Sequence, residues 1–285
     1  MAQATIRDVA REAGASVASV SRALNGLEGV KPELRARVQA AAAKLAYTPH
    51  AGARNLSRAR SDAVGVVLPD LHGEFFSEFL RGLDREASAH GLHLLLSNIH
   101  AGPHGAIEAL HTLRGRVDGL IVMAPGAAPE HLAAHLPPSM PAILINCADA
   151  NGAHPQLRSD NVSAAAVMTN HLLAVGRRRV VHLAGPADNV EAQEREQGYR
   201  AAMARAGLEP RVLPGDFSEE AGAAAANEIL ADPESCDALF AANDMMALGA
   251  LSALVRAGVD VPGQVAIGGF DDIPVARMIT PALTT

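Results

Sequence analysis

The sequence predicts an all-α headpiece of three helices containing a helix-turn-helix, followed by a two-lobed α/β core of doubly wound parallel sheets. Three observations predict it. Helical apolar spacing with cap signals fills the first fifty residues, and the sign of the charge reverses after that segment. From Ala63 onward, short apolar runs alternate with amphipathic stretches in two successive sets.

In the first helix Ile6, Val9, Ala10 and Ala13 form the stripe, with Thr5 as N-cap, Asp8 three residues on, and Gly14 to end it. Ser16 caps a second helix in which Val17, Val20 and Leu24 repeat at helical spacing, leaving Ser16, Ala18, Ser21, Arg22 and Asn25 on other faces. Pro32 suits the first position of a third helix with the stripe Leu34, Val38, Ala41, Ala42 and Leu45. A helix, a Gly-containing turn and a second helix make the shape that enters a DNA major groove. The expected headpiece is 1–49. Residues 50–61, rich in Arg and poor in apolar spacing, read as a linker.

Strands are expected at Ala63 to Leu68, His93 to Ser97, Gly119 to Met123 and Ala142 to Asn146, and again at Val180 to Leu183, near Val212, at Ala238 to Ala241 and at Val265 to Ile267. Helices fall between them, the first from about Glu74 to His90 with Phe75, Phe79, Leu80 and Leu83 on one side. Two such sets imply two lobes, 62–160 and 161–285.

The whole chain has a formal net charge of -7, yet residues 1–60 carry ten basic groups against four acidic ones, leaving 14 basic and 27 acidic groups in the rest. Clustered Lys and Arg neutralise phosphates, so the head expects a polyanion and the body a different partner. At 285 residues, 49% hydrophobic and 19% charged, the composition is that of a globular protein able to bury a core. The N-terminus lacks the layout of a secretory signal, and no apolar run is long enough to span a bilayer, so a cytoplasmic protein without a membrane partner is expected. Cys147 and Cys236 belong to no Cys-x-x-Cys pair and read as small buried hydrophobes. No Gly-Lys pair supports a phosphate-binding P-loop, and no Gly-x-Ser-x-Gly supports a nucleophile elbow. His100 and His104, four apart without carboxylate or thiol company, read as a solvated pair. Neither enzyme chemistry, a metal nor a cofactor is expected.

Ligands of open parallel sheets bind beyond the carboxyl ends of the strands. Here the loops at those ends are polar, with Asp70, Asn146, Asn189, Glu191, Asn243, Asp244, Asp271 and Asp272. Together with Arg195 they can bond the hydroxyls of a sugar, while Phe75, Phe76, Phe217 or Phe270 covers its apolar face.

The chain resembles the LacI/GalR family of bacterial transcriptional regulators, with galactose-repressor-like features. The motifs carrying the resemblance run in order: Thr5-Ile-Arg-Asp-Val-Ala10, Val20-Ser-Arg-Ala-Leu-Asn25, Leu45-Ala-Tyr-Thr-Pro49, Ala53-Arg-Asn-Leu56, Val117-Asp-Gly-Leu120, Ala242-Asn-Asp-Met-Met-Ala-Leu-Gly249, Gly269-Phe-Asp-Asp272 and Thr280-Pro-Ala-Leu-Thr-Thr285. The resemblance implies a homodimeric repressor of sugar-utilisation genes that binds a pseudo-palindromic operator in double-stranded DNA, with a core like periplasmic sugar-binding proteins.

It also implies roles for residues. Val17, Ala18 and Arg22 face base edges, Arg22 suiting a guanine and the other two offering apolar contact. Thr5, Ser16, Ser21 and Asn25 lie nearer the phosphates. His50, Ala53, Arg54 and Leu56 belong to a hinge helix that folds on operator DNA, with Leu56 wedged into the minor groove. Gly52 weakens that helix by about 1 kcal/mol relative to Ala, so a frayed hinge is expected without DNA. Phe75, Phe76, Asn146, Glu191, Arg195, Phe217, Asn243 and Asp271 line a cleft for a small effector, a neutral sugar rather than a purine. Family members continue beyond the final motif, so the chain is expected to be a truncated regulator or a fragment with an incomplete second lobe. A sugar-binding transport protein is the main alternative, and the basic head argues against it.

Overall fold

The computed structural model describes residues 4–48, 60–69, 71, 73–99, 105–136, 139–147 and 152–285. The chain divides into two compact units, Met1–Ser61 and Asp62–Thr285.

Among the described residues, the first unit holds three helices: α1 (Ile6–Glu12), α2 (Val17–Leu24) and α3 (Pro32–Lys44). Asp8 Oδ2 accepts both the Thr5 backbone N–H at 3.0 Å and the Thr5 hydroxyl at 2.7 Å, fixing the entry to α1. Gly14 takes φ +56°, open to glycine without strain, and turns the chain toward Ser16. Ser16 Oγ accepts the Ser19 N–H at 3.1 Å, satisfying an orphan donor of α2. Val9, Ala10, Ala13, Val20, Ala23, Val38, Ala41 and Ala42 are the buried core, with Ile6, Leu24, Leu34 and Leu45 packed against it. Val17 departs from the expected stripe. At the first turn of α2 it is 43% exposed. The guanidinium of Arg37 donates from Nε to the Ala13 carbonyl at 3.0 Å, tying α3 to the end of α1.

Among the described residues, the second unit holds two sheets whose strand pairings are all parallel. In the first, β1 (Ala63–Leu68), β2 (His93–Asn98), β3 (Gly119–Met123), β4 (Ala142–Ile145) and β5 (Gln156–Leu157) lie in the order β2-β1-β3-β4-β5. The helices between them are α4 (Glu74–Ala89), α5 (Gly105–Leu113) and α6 (Pro129–His135). Val66, Leu68, Met123 and Ile145 face Phe75, Phe76, Phe79, Leu80 and Leu83 of α4. Val67, Val122 and Leu144 face Leu110, Leu113 and Leu132 on the opposite side. Burial on both faces explains why these strands read as unbroken apolar runs.

The second sheet has the order β7-β6-β8-β9, from β6 (Val180–Leu183), β7 (Arg211–Leu213), β8 (Ala238–Ala241) and β9 (Ala266–Gly268). Its helices are α7 (Asn161–Ala174), α8 (Val190–Arg205), α9 (Glu219–Ala231) and α10 (Asp244–Arg256). α9 and α10 approach so closely that a Cβ on Gly249 would lie 2.0 Å from the Glu219 carbonyl oxygen. On the other face Tyr199 and Met203 of α8 pack with Phe240 and Val180. Buried between them, His182 gives its Nδ1 to the Phe240 carbonyl at 2.9 Å and stacks on Tyr199 at 5.1 Å. Its Nε2 has no partner, and burial pushes its pKa down to about 3, so the ring is neutral.

The structure differs from expectation in small ways. β4 ends one residue early, at Ile145, because Asn146 adopts φ +49°. β9 lies one residue later than predicted, and β5 has no expected counterpart. Both cysteines are buried, as expected.

Candidate functional site

Two surfaces concentrate the expected functional residues, one in each unit. On the headpiece, Thr5, Ser16, Val17, Ala18 and Arg22 are exposed, whereas Ser21 and Asn25 are half-buried. The Asn25 amide donates to Ser21 Oγ at 3.3 Å. Because Val20 and Ala23 face the core, the helix presents Val17, Ala18 and Arg22 outward. Apolar groups beside a guanidinium, on the exposed face of a helix whose other face is in the core, can enter a groove and meet base edges. His50, Ala53, Arg54 and Leu56 lie outside the described residues, as do Asp70, His100 and His104.

In the second unit a cavity of about 280 Å³ opens where the ends of β1, β3, β6, β8 and β9 converge. Phe75, Phe76, Glu191, Arg195, Phe217, Asn243 and Asp271 all line it. The exception among the expected set is Asn146. It is not in the lining; its backbone is left-handed, and its Oδ1 accepts the Ser159 N–H at 3.1 Å in the turn after β4. Phe270 is not part of the lining either; its ring lies against the Arg195 guanidinium, 3.9 Å from centroid to Cζ.

Arg195 organises the cavity. It is buried, and each of its nitrogens has a protein acceptor: Nε gives to Asn161 Oδ1 at 3.0 Å, Nη1 to the Ala242 carbonyl at 2.7 Å and Nη2 to Glu191 Oε1 at 3.3 Å. Glu191 and Arg195 share one face of α8 because they stand four residues apart. Burial raises the pKa of Glu191, and Arg195 opposes that rise. Asp271 sits at φ +115°, with Oδ1 3.8 Å from Arg195 Nη1 and only 11% of its side chain exposed. Burial pushes its carboxyl up to about 7, with Asp244 and Glu191 adding to the rise and Arg195 opposing it.

Helix caps frame the rest. Asn189 Oδ1 caps α8 through the Glu191 and Ala192 N–H groups, at 2.9 and 3.1 Å. Asn243 caps α10 with Oδ1 on the Met246 N–H at 3.0 Å, while its Nδ2 gives to the Phe217 carbonyl at 3.1 Å. That bond holds Phe217 at φ +72° with its ring over Gly185, where a Cβ would lie 2.4 Å from the ring.

Sequence reasoning missed Met123, Asp216, Ser218 and Met245 in the lining, and Asn161 behind it. Met123 ends an expected strand, and Met245 stands in a quoted motif, so both had a signal. Asp216 and Asn161 had none beyond their resemblance to ordinary caps. Among the described residues no group of three metal-binding side chains occurs, and no helix is long and apolar enough to cross a membrane.

Residues 61–283 match the family model for periplasmic binding proteins and the sugar binding domain of the LacI family, and residues 5–50 match that for bacterial regulatory proteins of the lacI family. The chain belongs to the LacI family. It is 34% identical to the ribose operon repressor of Escherichia coli (strain K12) over 287 residues, covering 99% of this chain and 87% of that protein. Identity with the regulator GalS of Salmonella typhimurium (strain LT2) is 36% over 285 residues, covering 99% and 84%. Among solved structures, the lac repressor dimer bound to operator and the anti-inducer ONPF superimposes with a TM-score of 0.85 at 28% identity, over 99% of this chain and 86% of that one. The CelR–cellobiose complex gives 0.68 at 30% identity, over 98% and 86%. The family consists of DNA-binding transcription regulators, not enzymes, and the expected headpiece and α/β core are those of this LacI-family chain.

Proposed function

We propose that this LacI-family protein is a repressor of sugar-utilisation genes that binds a pseudo-palindromic operator as a homodimer in the cytoplasm and is controlled by a small sugar in the cleft. In this reading residues 1–49 read DNA, 50–61 form the hinge, and 62–160 and 161–285 are the lobes around the effector. Arg22 pairs with a guanine, Val17 and Ala18 contact base edges, and Thr5, Ser16, Ser21 and Asn25 lie along the phosphates. His50, Ala53, Arg54 and Leu56 act at the minor groove. Phe75, Phe76, Glu191, Arg195, Phe217, Asn243 and Asp271 contact the effector. No cofactor takes part.

The observation that carries the reading is the pairing of two features in one chain: a capped recognition helix with Arg22 exposed, and a strand-end cavity converging on Arg195. The names of relatives support it, since they include an operon repressor and a repressor dimer bound to operator. Fluorescence anisotropy with operator-like and random duplexes over a salt titration tests it. Operator binding that weakens steeply with salt, and loses its preference over random DNA in Arg22→Ala, is the expected result. Absence of DNA binding at low salt overturns it.

A further inference from the structure

The start of α8 is completed from across the cleft. Four N–H groups there have no acceptor within the helix. Three are met by their own half of the core: Asn189 N–H by the Pro186 carbonyl at 3.0 Å, and those of Glu191 and Ala192 by Asn189 Oδ1. The fourth, on Val190, donates to the Pro125 carbonyl after β3, in the half built on the first sheet, at 3.2 Å. Among the described residues it is the one main-chain hydrogen bond that joins the two halves. Beside it Gly126 lies against Asp188, where a Cβ would be 3.6 Å from Oδ2 and 3.7 Å from the carbonyl oxygen. A second contact sets Gly73, at φ +90°, against Met245 of α10, with a Cβ 3.5 Å from Cγ. Pro125, Gly73 and Met245 line the cavity. Among the described residues the chain passes between the halves once, at residues 158–160. That crossover is tied to both, Ser159 N–H to Asn146 Oδ1 and Arg158 to Glu194 of α8.

We propose that the Val190–Pro125 bond is a latch that holds the cleft shut, and that its release lets the halves turn about residues 158–160. The latch works whatever occupies the cavity. At Gly73 and Gly126 the first half brings no side chain to interlock with the second, so those contacts part freely, and the directional bond between them is left to hold the halves. Its carbonyl lies at the positive end of α8, which favours the closed arrangement. On opening, both groups exchange partners with water at small net cost, so the latch is reversible. Because α8 also carries Glu191 and Arg195, the bond sets how far these stand from Phe75 and Phe76 of the first half.

Val190→Pro tests the inference. Proline suits the first position of a helix, and Asn189 before it is already extended at φ -88° and ψ 118°, so the substitution deletes the N–H and leaves α8 intact. Val190→Ala, which keeps the N–H, is the control. Spin labels on Glu130→Cys and Gln197→Cys, exposed sites in the two halves, report the separation by double electron–electron resonance, because the native Cys147 and Cys236 are buried. The labelled full chain is diluted in unlabelled chain so that distances within one copy are read. Val190→Pro is expected to add a component longer by more than about 2 Å, with Val190→Ala matching the unsubstituted chain. If the proline variant does not fold, Gly126→Glu, an exposed change that sets bulk and a like charge against Asp188, is expected to add the same component, and Gly126→Ala is not. An unshifted distance in folded Val190→Pro overturns the latch, whatever Gly126→Glu does. So does equal opening in Val190→Ala, or a long component already dominant in the unsubstituted chain.

Discussion

Replacing Asp271 with asparagine should stabilise this protein, and by more as the pH rises. The carboxyl titrates near 3.8 in an ordinary setting and near 7 in the folded protein, mainly because it is buried. Below pH 3.8 it is protonated in both states and contributes nothing. Between pH 3.8 and about 7 the unfolded chain releases this proton while the folded chain keeps it, so stability falls as pH rises. Each pH unit of that window is worth about 1.4 kcal/mol, which accumulates to about 4 kcal/mol by pH 8. Asparagine keeps an acceptor toward Arg195 Nη1 and removes the charge, and with it this pH-dependent cost. The chain has no tryptophan, so urea unfolding followed by far-UV circular dichroism is the suitable assay. The stability gap between Asp271→Asn and wild type should widen by roughly 2–3 kcal/mol from pH 5 to pH 8. A gap that stays constant, or a variant less stable than wild type at pH 8, refutes the reasoning.

Two further outcomes follow from buried groups of the second sheet. His182 is held neutral with a pKa of about 3 against an ordinary 6.5, so the unfolded chain binds the extra proton and stability falls as pH drops through that window, by about 1.4 kcal/mol per unit. Melting temperatures from pH 7 to pH 4 should therefore decline less steeply in His182→Phe than in wild type, and parallel declines would contradict the assignment. Gly249→Ala forces a methyl against the Glu219 carbonyl and should cost about 1–3 kcal/mol, read as a lower urea midpoint; an unchanged midpoint would mean that α9 and α10 separate freely.

The headpiece was legible because local signals agree there. Thr5 with Asp8, Gly14, Ser16 and Pro32 each mark a helix boundary, and the stripes they enclose share one core. Val17 was misplaced because helical spacing alone does not say where the partner helices stop. Strands buried on both faces were equally plain, while Gln156–Leu157, two exposed residues, left no pattern to read. Within the cleft, Glu191 and Arg195 were legible as neighbours on a helix turn. Asn146 was assigned to the cleft because it follows a strand, but its backbone and its bond to Ser159 depend on tertiary contacts. The same holds for Asn161, whose tie to Arg195 joins residues 34 apart.

The double commitment of Asn243 bears on how such a protein diverges. One amide closes the helix behind it and fixes the aromatic ring in front, so a substitution there disturbs the scaffold and the ligand's surroundings together. Glu191, Asp216 and Met245 border the same space and cap no helix. Drift toward a new ligand is thus channelled through the latter three, and a library built to retarget this regulator should vary them while leaving the amide alone.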